Sequence, residues 1–180
     1  MTIIVTDHHE VPYEEIGNEK RYIIPAADAV IDPKQVDCEY PFKELCGAAV
    51  AYKLVETMFE VSGRDIEDVD YLMENVAIAT VGDVMDLVGE NRIFVKQGLE
   101  MLKRTKNLGL KALIDCTKTQ IDQLSAYQIG FFLGPCLNAS GRLDTAKRAL
   151  ELLCAKSKGE ADVLAGDLKA LNDSRKEMTI

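Results

Sequence analysis

The sequence predicts an α/β fold in which short parallel strands lead into a mostly helical remainder. Three observations predict it. Ile3-Ile4-Val5-Thr6 is a β-branched run, too short for a globular helix and suited to a parallel strand. From about residue 44 onward apolar residues recur at three- and four-residue spacing, the period of amphipathic helices. The 180 residues, 47% apolar and 28% charged, match one ordinary globular domain with material for a core.

The first strand, residues 3–6, reads as buried and stops abruptly at Asp7-His8-His9. Residues 22–24 and 28–31 are further short strands, cut by Pro25 and Pro33, and the rest of 10–41 reads as strand and loop. A helix starts near Glu44, turns Leu45, Ala48, Ala49, Tyr52, Val55 and Phe59 inward, and is stopped by Ser62-Gly63. A second covers 69–79 with Leu72, Met73, Val76 and Ala79 inward, and a third covers 91–105. Residues 112–115 fit a turn of helix or a strand equally well. A helix over 121–133 is expected to end at Gly134-Pro135, leaving 134–143 as an interhelix loop. Asp144 is placed to cap the next helix, with Ala146, Ala149, Leu150 and Leu153 on one face. The last helix uses Ala161, Leu164, Leu168 and Leu171 and meets no terminating glycine or proline. With a core strand at residue 3, both ends read as cut from something longer.

Charge narrows the functions. With 21 Lys+Arg against 30 Asp+Glu the formal net is −9, so the chain lacks the basic footprint of most nucleic-acid binders. Its small basic groupings (Lys103, Arg104 and Lys106; Lys147 and Arg148) sit near helix ends, where solvated cations are common. Any phosphate chemistry therefore has to come from a local site or from parts of a larger protein. No apolar run approaches the roughly 18 residues of a membrane span, and the start lacks the basic flank and apolar stretch of a signal peptide. Cys38, Cys46, Cys116, Cys136 and Cys154 are odd in number and form no CxxC pair, which disfavours a disulfide framework or zinc knuckle and favours the cytoplasm.

Four stretches carry chemistry. Asp7-His8-His9 holds both histidines of the chain at a strand's end, where open α/β sheets place their sites. Imidazole binds divalent metals, a neighbouring carboxylate fixes its tautomer, and adjacent side chains diverge, so one His can bind metal while the other faces substrate. An ordinary polar loop would look the same. In Thr80-Val81-Gly82-Asp83-Val84 an apolar helix ends at a glycine and presents one carboxylate, as a metal ligand or a solvated helix-end residue. In Gly134-Pro135-Cys136-Leu137-Asn138-Ala139-Ser140-Gly141-Arg142-Leu143, Arg142 suits a phosphate with Asn138 and Ser140 adding hydrogen bonds; a structural loop whose Arg pairs with a carboxylate is the competing account. Cys46-Gly47-Ala48-Ala49 is a small-residue helix start that fits phosphate or close packing on a strand.

Taken in order, these stretches, with Pro25-Ala26-Ala27-Asp28-Ala29 and Asn91-Arg92, resemble the DHH phosphoesterase superfamily over essentially the whole chain. The stretch from Gly134 to Leu143 is similar to its branch of single-strand-specific DNA exonucleases. The resemblance implies a partial DHH phosphoesterase domain: residues 1–158 as the later part of a catalytic domain, and 159–180 as the start of a helix leading to a second domain. It implies two-metal phosphodiester hydrolysis with Mn²⁺ or Mg²⁺, acting 5′→3′ on single-stranded DNA in repair and recombination. By position His8 and Asp83 would be metal ligands, His9 would face the scissile phosphate, and Asp7 would orient the pair. Asn138, Ser140 and Arg142 would contact the DNA.

Two departures accompany the resemblance. The Asp-rich metal-binding motif expected upstream of the DHH strand is not in the sequence, and Cys136 stands where many relatives have Arg. The chain alone is therefore expected to be almost inert as an enzyme. Rival readings are another DHH phosphoesterase acting on short oligonucleotides, and a non-catalytic partner-binding module. The first strand is expected to lack neighbours and to promote self-association, and no membrane contact is expected.

Overall fold

The computed structural model describes residues 1–143 and 146–178, with Arg142 and Leu143 described in their backbone only. Asp144, the expected helix cap, lies outside the described residues. β1 (Ile4–Thr6) pairs in parallel with β4 (Ala29–Ile31), Val5 opposite Val30. Between them lies an antiparallel hairpin, β2 (Tyr13–Ile16) and β3 (Glu19–Tyr22), in which Tyr13 faces Tyr22 and Gly17 takes a positive φ of 66° in the turn. The expected strand at 22–24 thus forms earlier, over Glu19–Tyr22. β1 is parallel as expected but not buried: Ile3 is 42% and Ile4 53% exposed. Among the described residues it has one hydrogen-bonded neighbour, and α1 touches it, so no layers cover both faces.

The helices follow. α1 (Gly47–Val61) buries Ala49, Val50 and Tyr52 and ends at Ser62, with Gly63 in the left-handed region. Two 3₁₀ turns lead into α2 (Met73–Gly82), which lies along α3 (Gly89–Leu102). α1, α2 and α3 share a core of Leu45, Ala49, Val50, Tyr52, Met73, Val76 and Phe94. α4 (Leu108–Cys116) makes the undecided 112–115 helical; Asn107 caps it by accepting from the Leu110 N–H at 3.0 Å.

The segment 121–143 corrects the sequence reading. A 3₁₀ turn and the short α5 (Ala126–Gln128) lead into a π turn, Ile129–Leu133, and the chain continues without a break into α6 (Gly134–Leu143). Gly134-Pro135 does not end the helix, and 134–143 is not a loop. A proline lacks the N–H of the regular ladder and crowds the carbonyl four residues back; the wider π turn just before it relieves that crowding.

α7 (Lys147–Leu153) buries Leu152 fully and leaves Leu150 61% exposed, so the expected inward face was misplaced at Leu150 and at Ala146, which is also exposed. Leu150 lies about 200° round the helix from Leu152, on the opposite side. α8 (Lys158–Glu177) starts at Ser157, whose hydroxyl accepts from the Glu160 N–H at 3.2 Å. Its stripe of Ala161, Ala165 and Leu168 enters a second core with Leu110, Leu113, Ile129, Leu133 and Leu152. Among the described residues no helix is long and apolar enough to cross a membrane.

Candidate active site

β1 delivers Asp7-His8-His9 beyond its carboxyl end, held there by the Asp7 N–H donating to the Ile31 carbonyl at 3.0 Å. Asp7 Oδ1 then gathers the next two residues. It accepts from the His8 backbone N–H at 2.8 Å, the His9 N–H at 3.3 Å and His9 Nδ1 at 2.7 Å. The bond from His9, then that from the His8 backbone, hold the Asp7 carboxyl below its ordinary range. With Nδ1 donating to Asp7, His9 leaves Nε2 directed away from its own carboxylate. The two imidazoles lie 4.4 Å apart at 46° to each other. His8 is half-buried while His9 is exposed, and the rings stay in contact rather than splaying apart.

His8 turns toward the start of α1. A Cβ built on Gly47 would stand 3.3 Å from His8 Cδ2 and 3.7 Å from Nε2, so the glycine is what lets the ring close on the helix. The small-residue start at 46–49 is therefore explained by packing. Cys46 is fully buried, and its Sγ lies 3.4 Å from Thr80 Oγ1 on α2. The Thr80 hydroxyl gives its hydrogen to the Val76 carbonyl at 2.8 Å, so the thiol is the donor to Thr80. One turn later α2 ends at Gly82-Asp83. Asp83 is exposed, and Val84 follows with a positive φ of 57°, rare for a β-branched residue. Asn91 secures both approaches: its Nδ2 donates to the Glu44 carbonyl at 2.6 Å and the Asp86 carbonyl at 3.1 Å, three residues before Gly47 and three after Asp83.

α6 meets the end of α2 where Gly134 would bring a Cβ within 4.0 Å of the Gly82 Cα. There a cavity of about 220 Å³ is lined by Gly82, Gly130, Gly134, Pro135, Asn138 and Arg175. The structure thus brings Asn138 beside the Asp83 turn. It does not bring Ser140 there: Ser140 is fully buried, and its hydroxyl donates back to the Leu137 carbonyl at 3.2 Å. Arg142 falls in the last turn of α6, and its side chain lies outside the described residues. Arg175, on α8, was given no role in the sequence reading. The available signal was Asn172, a polar residue on the apolar stripe of that helix, three positions before Arg175.

Asp83 is an oxygen donor of the kind Mn²⁺ and Mg²⁺ sites use, and the His8 imidazole is a nitrogen donor that suits Mn²⁺ better than the harder Mg²⁺. Yet among the described residues no group of three or more His, Cys, Asp and Glu side chains could hold a metal ion. The described donors alone do not make a complete two-metal centre. A more apolar groove of about 550 Å³, between β4 and α1, is lined by Ile31, Pro33, Tyr40, Val50 and Leu54 among others, and by none of the predicted site residues. All five cysteines are free.

A parallel strand pair thus ends in Asp7-His8-His9, with the start of α1 packed on His8 and the end of α2 tied to that start through Cys46 and Thr80. Over nearly all its own length the chain is similar to one stretch of a longer protein, RecJ. It is 39% identical over 178 residues to the single-stranded-DNA-specific exonuclease RecJ of Bacillus subtilis, covering 99% of this chain and 21% of the relative. It is 40% identical over 186 residues to the RecJ of Salmonella typhimurium, covering 98% and 31%. The crystal structure of Thermus thermophilus RecJ in complex with Mn²⁺ superposes with a TM-score of 0.78 at 30% identity, covering 98% of this chain and 25% of that one. A second structure of that protein, in complex with Mg²⁺, gives 0.73 over 82% of this chain and 23% of the other. The chain thus spans about a fifth to a third of the curated relatives it matches. No family model matches it.

Proposed function

We propose that the chain is the DHH-bearing part of a metal-dependent exonuclease that hydrolyses single-stranded DNA 5′→3′ in repair and recombination. One observation carries the proposal. The His8 ring packs on the start of α1, which is joined through Cys46 and Thr80 to the helix that ends at Asp83. An imidazole and a carboxylate from distant parts of the sequence are thereby held to one region, in a chain similar to RecJ throughout. In this reading His8 and Asp83 are metal ligands for Mn²⁺ or Mg²⁺, the ions present in the Thermus RecJ structures. His9, oriented by Asp7, faces the scissile phosphate, and Asn138 and Arg142 contact the DNA; Ser140 supports the helix from inside. The remaining metal donors come from other parts of the protein, and residues 159–180 lead toward a further domain. The cytoplasm is the compartment that this reading and the free thiols suit.

The test is a Mn²⁺ titration of exonuclease activity on a longer protein carrying this stretch. His8→Ala and Asp83→Ala should raise the metal demand and collapse turnover even with DNA bound. Arg142→Ala should keep metal binding, lose transition-state stabilisation or affinity, and resist rescue by excess Mn²⁺; Arg142→Lys should recover part of the loss. Full recovery of Arg142→Ala at high Mn²⁺, or unchanged metal binding in the His8 and Asp83 variants, would overturn these roles. The 180-residue chain alone should show no robust Mn²⁺-dependent degradation of single-stranded DNA.

A further inference from the structure

We propose that the cavity between the end of α2, the π turn and α8 is a binding position for a phosphate of single-stranded DNA, with Arg175 as its cationic grip. The inference rests on the exonuclease reading above and adds a residue and a place to it. Three of the six lining residues are glycines, Gly82, Gly130 and Gly134, so a sugar-phosphate backbone can approach main chain without meeting side chains. The polar side chains on the cavity are Asn138 and Arg175, a neutral hydrogen-bonding group and a cation. At about 220 Å³ the space holds a phosphate group together with several waters. Gly82 is the residue before Asp83, so whatever occupies the cavity sits next to the proposed metal ligand.

Arg175 is positioned rather than merely present. Its Nε and Nη2 donate to Asn172 Oδ1 at 3.4 and 3.2 Å. Asn172 is 2% exposed, and its amide donates in turn to Cys136 Sγ at 3.6 Å, on the buried side of α6. The Asn172 amide is thereby fixed with its oxygen toward Arg175, and the guanidinium is fixed against the helix that bears Asn138. A planar fork pre-set in this way loses little entropy on closing over a phosphate. A cation in the last turn of a helix also complements the helix dipole, and α8 carries Arg175 and Lys176 there. That bland account predicts an effect on stability alone.

The experiment measures binding of a longer protein carrying this stretch, kept in EDTA so that it does not cut, to a 3′-labelled oligothymidylate, with and without a 5′-phosphate, by fluorescence anisotropy over a series of salt concentrations. Arg175→Ala should weaken binding about tenfold and flatten the salt dependence by about 0.7 in log–log slope, the loss of one neutralised phosphate. Arg175→Lys should keep the slope and recover part of the affinity. A loss confined to the phosphorylated strand assigns the terminal phosphate to the cavity; equal loss for both assigns an internucleotide one. If the alanine variant melts early, Arg175→Gln, which keeps a donor without the charge, carries the same comparison. Binding of both neutral variants with wild-type affinity and slope overturns the inference and leaves the exonuclease reading standing. A wild-type longer protein that binds neither oligonucleotide at low salt overturns the reading of this surface as a DNA path, and the inference with it.

Discussion

Gly98→Ala tests the packing on which the site depends. Gly98 lies in α3 where that helix crosses α2, and an added Cβ would stand 2.4 Å from the Ala77 Cβ and 2.6 Å from the Met73 carbonyl oxygen. Ordinary carbon contacts lie near 3.5–4.0 Å, so the helices would have to part by about 1 Å. Neither obstacle can rotate away, since one is a backbone atom and the other the first atom of its side chain. Overpacking of this kind costs about 1–3 kcal/mol, and the fixed obstacles place it near the top of that range. Replacing glycine in a helix interior returns about 1 kcal/mol. The expected net is a destabilisation of about 2 kcal/mol, or about 1 M in urea midpoint at an m-value near 2 kcal/mol/M. Gly166→Ala is the control, because Gly166 lies inside α8 with no heavy atom within 4 Å of its built Cβ. It should gain about 0.5–1 kcal/mol. Urea unfolding of both variants reads the opposite signs directly. A Gly98→Ala chain as stable as wild type, with unchanged m-value, would refute the close α2–α3 crossing that holds Asp83 in place.

Asn91→Ala removes the donor to the Glu44 and Asp86 carbonyls and should cost about 2–3 kcal/mol by chemical denaturation; a loss under about 0.5 kcal/mol would show that Asn91 holds neither loop. Val84→Gly relieves a left-handed β-branched residue that is 87% exposed, and after the glycine's extra unfolded-state entropy it should stabilise by about 0.5–1 kcal/mol. Burial raises the Glu74 carboxyl above its ordinary range, opposed in part by the Thr105 hydroxyl donating to it at 2.9 Å. The folded state therefore holds this proton to higher pH than the unfolded state, and stability falls as pH rises from the ordinary glutamate pKa through the raised one. Glu74→Gln keeps an acceptor for Thr105 and should flatten that fall; an unchanged stability–pH curve would count against it. The open edge of β1, with exposed Ile3 and Ile4, should promote pairing between copies, and a clean monomer by light scattering at high concentration would contradict this.

Much of this arrangement was legible in the sequence, for reasons that differ by element. α1 and α8 carry their apolar residues at helical spacing, burying Ala49, Tyr52, Ala161 and Leu168 and leaving Val55, Phe59, Leu164 and Leu171 half-buried, and Gly63 stops α1 because it can take a positive φ. The hairpin was read only as strand and loop because both of its faces are exposed, so no alternation marks it. The continuation through Gly134-Pro135 was hidden because a π turn is a geometric accommodation with no sequence period of its own. In the candidate site, Asp7-His8-His9 and Asp83 stood out as polar residues at the ends of apolar elements. Ser140 was read as part of a loop; within the helix it is fully buried. Arg175 was passed over because a basic residue near a helix end has a simple electrostatic explanation.

The acidic balance and the proposed substrate are compatible because the site is assembled from the ends of elements. A basic face would neutralise many phosphates at once and make affinity fall steeply with salt. In the proposed site the strand end would supply Asp7, His8 and His9, the end of α2 Gly82 and Asp83, and the last turns of α6 and α8 Arg142 and Arg175. Each element contributes at a terminus, while its flank remains free to carry the surplus carboxylates that set the net charge at −9. Gly47, Thr80, Asn91 and Asn172 hold those termini together through packing and hydrogen bonds that salt does not screen. A strand of DNA bound this way meets a few fixed contacts rather than a charged surface. Its affinity should therefore depend on the geometry of those contacts more than on the charge of the protein that carries them.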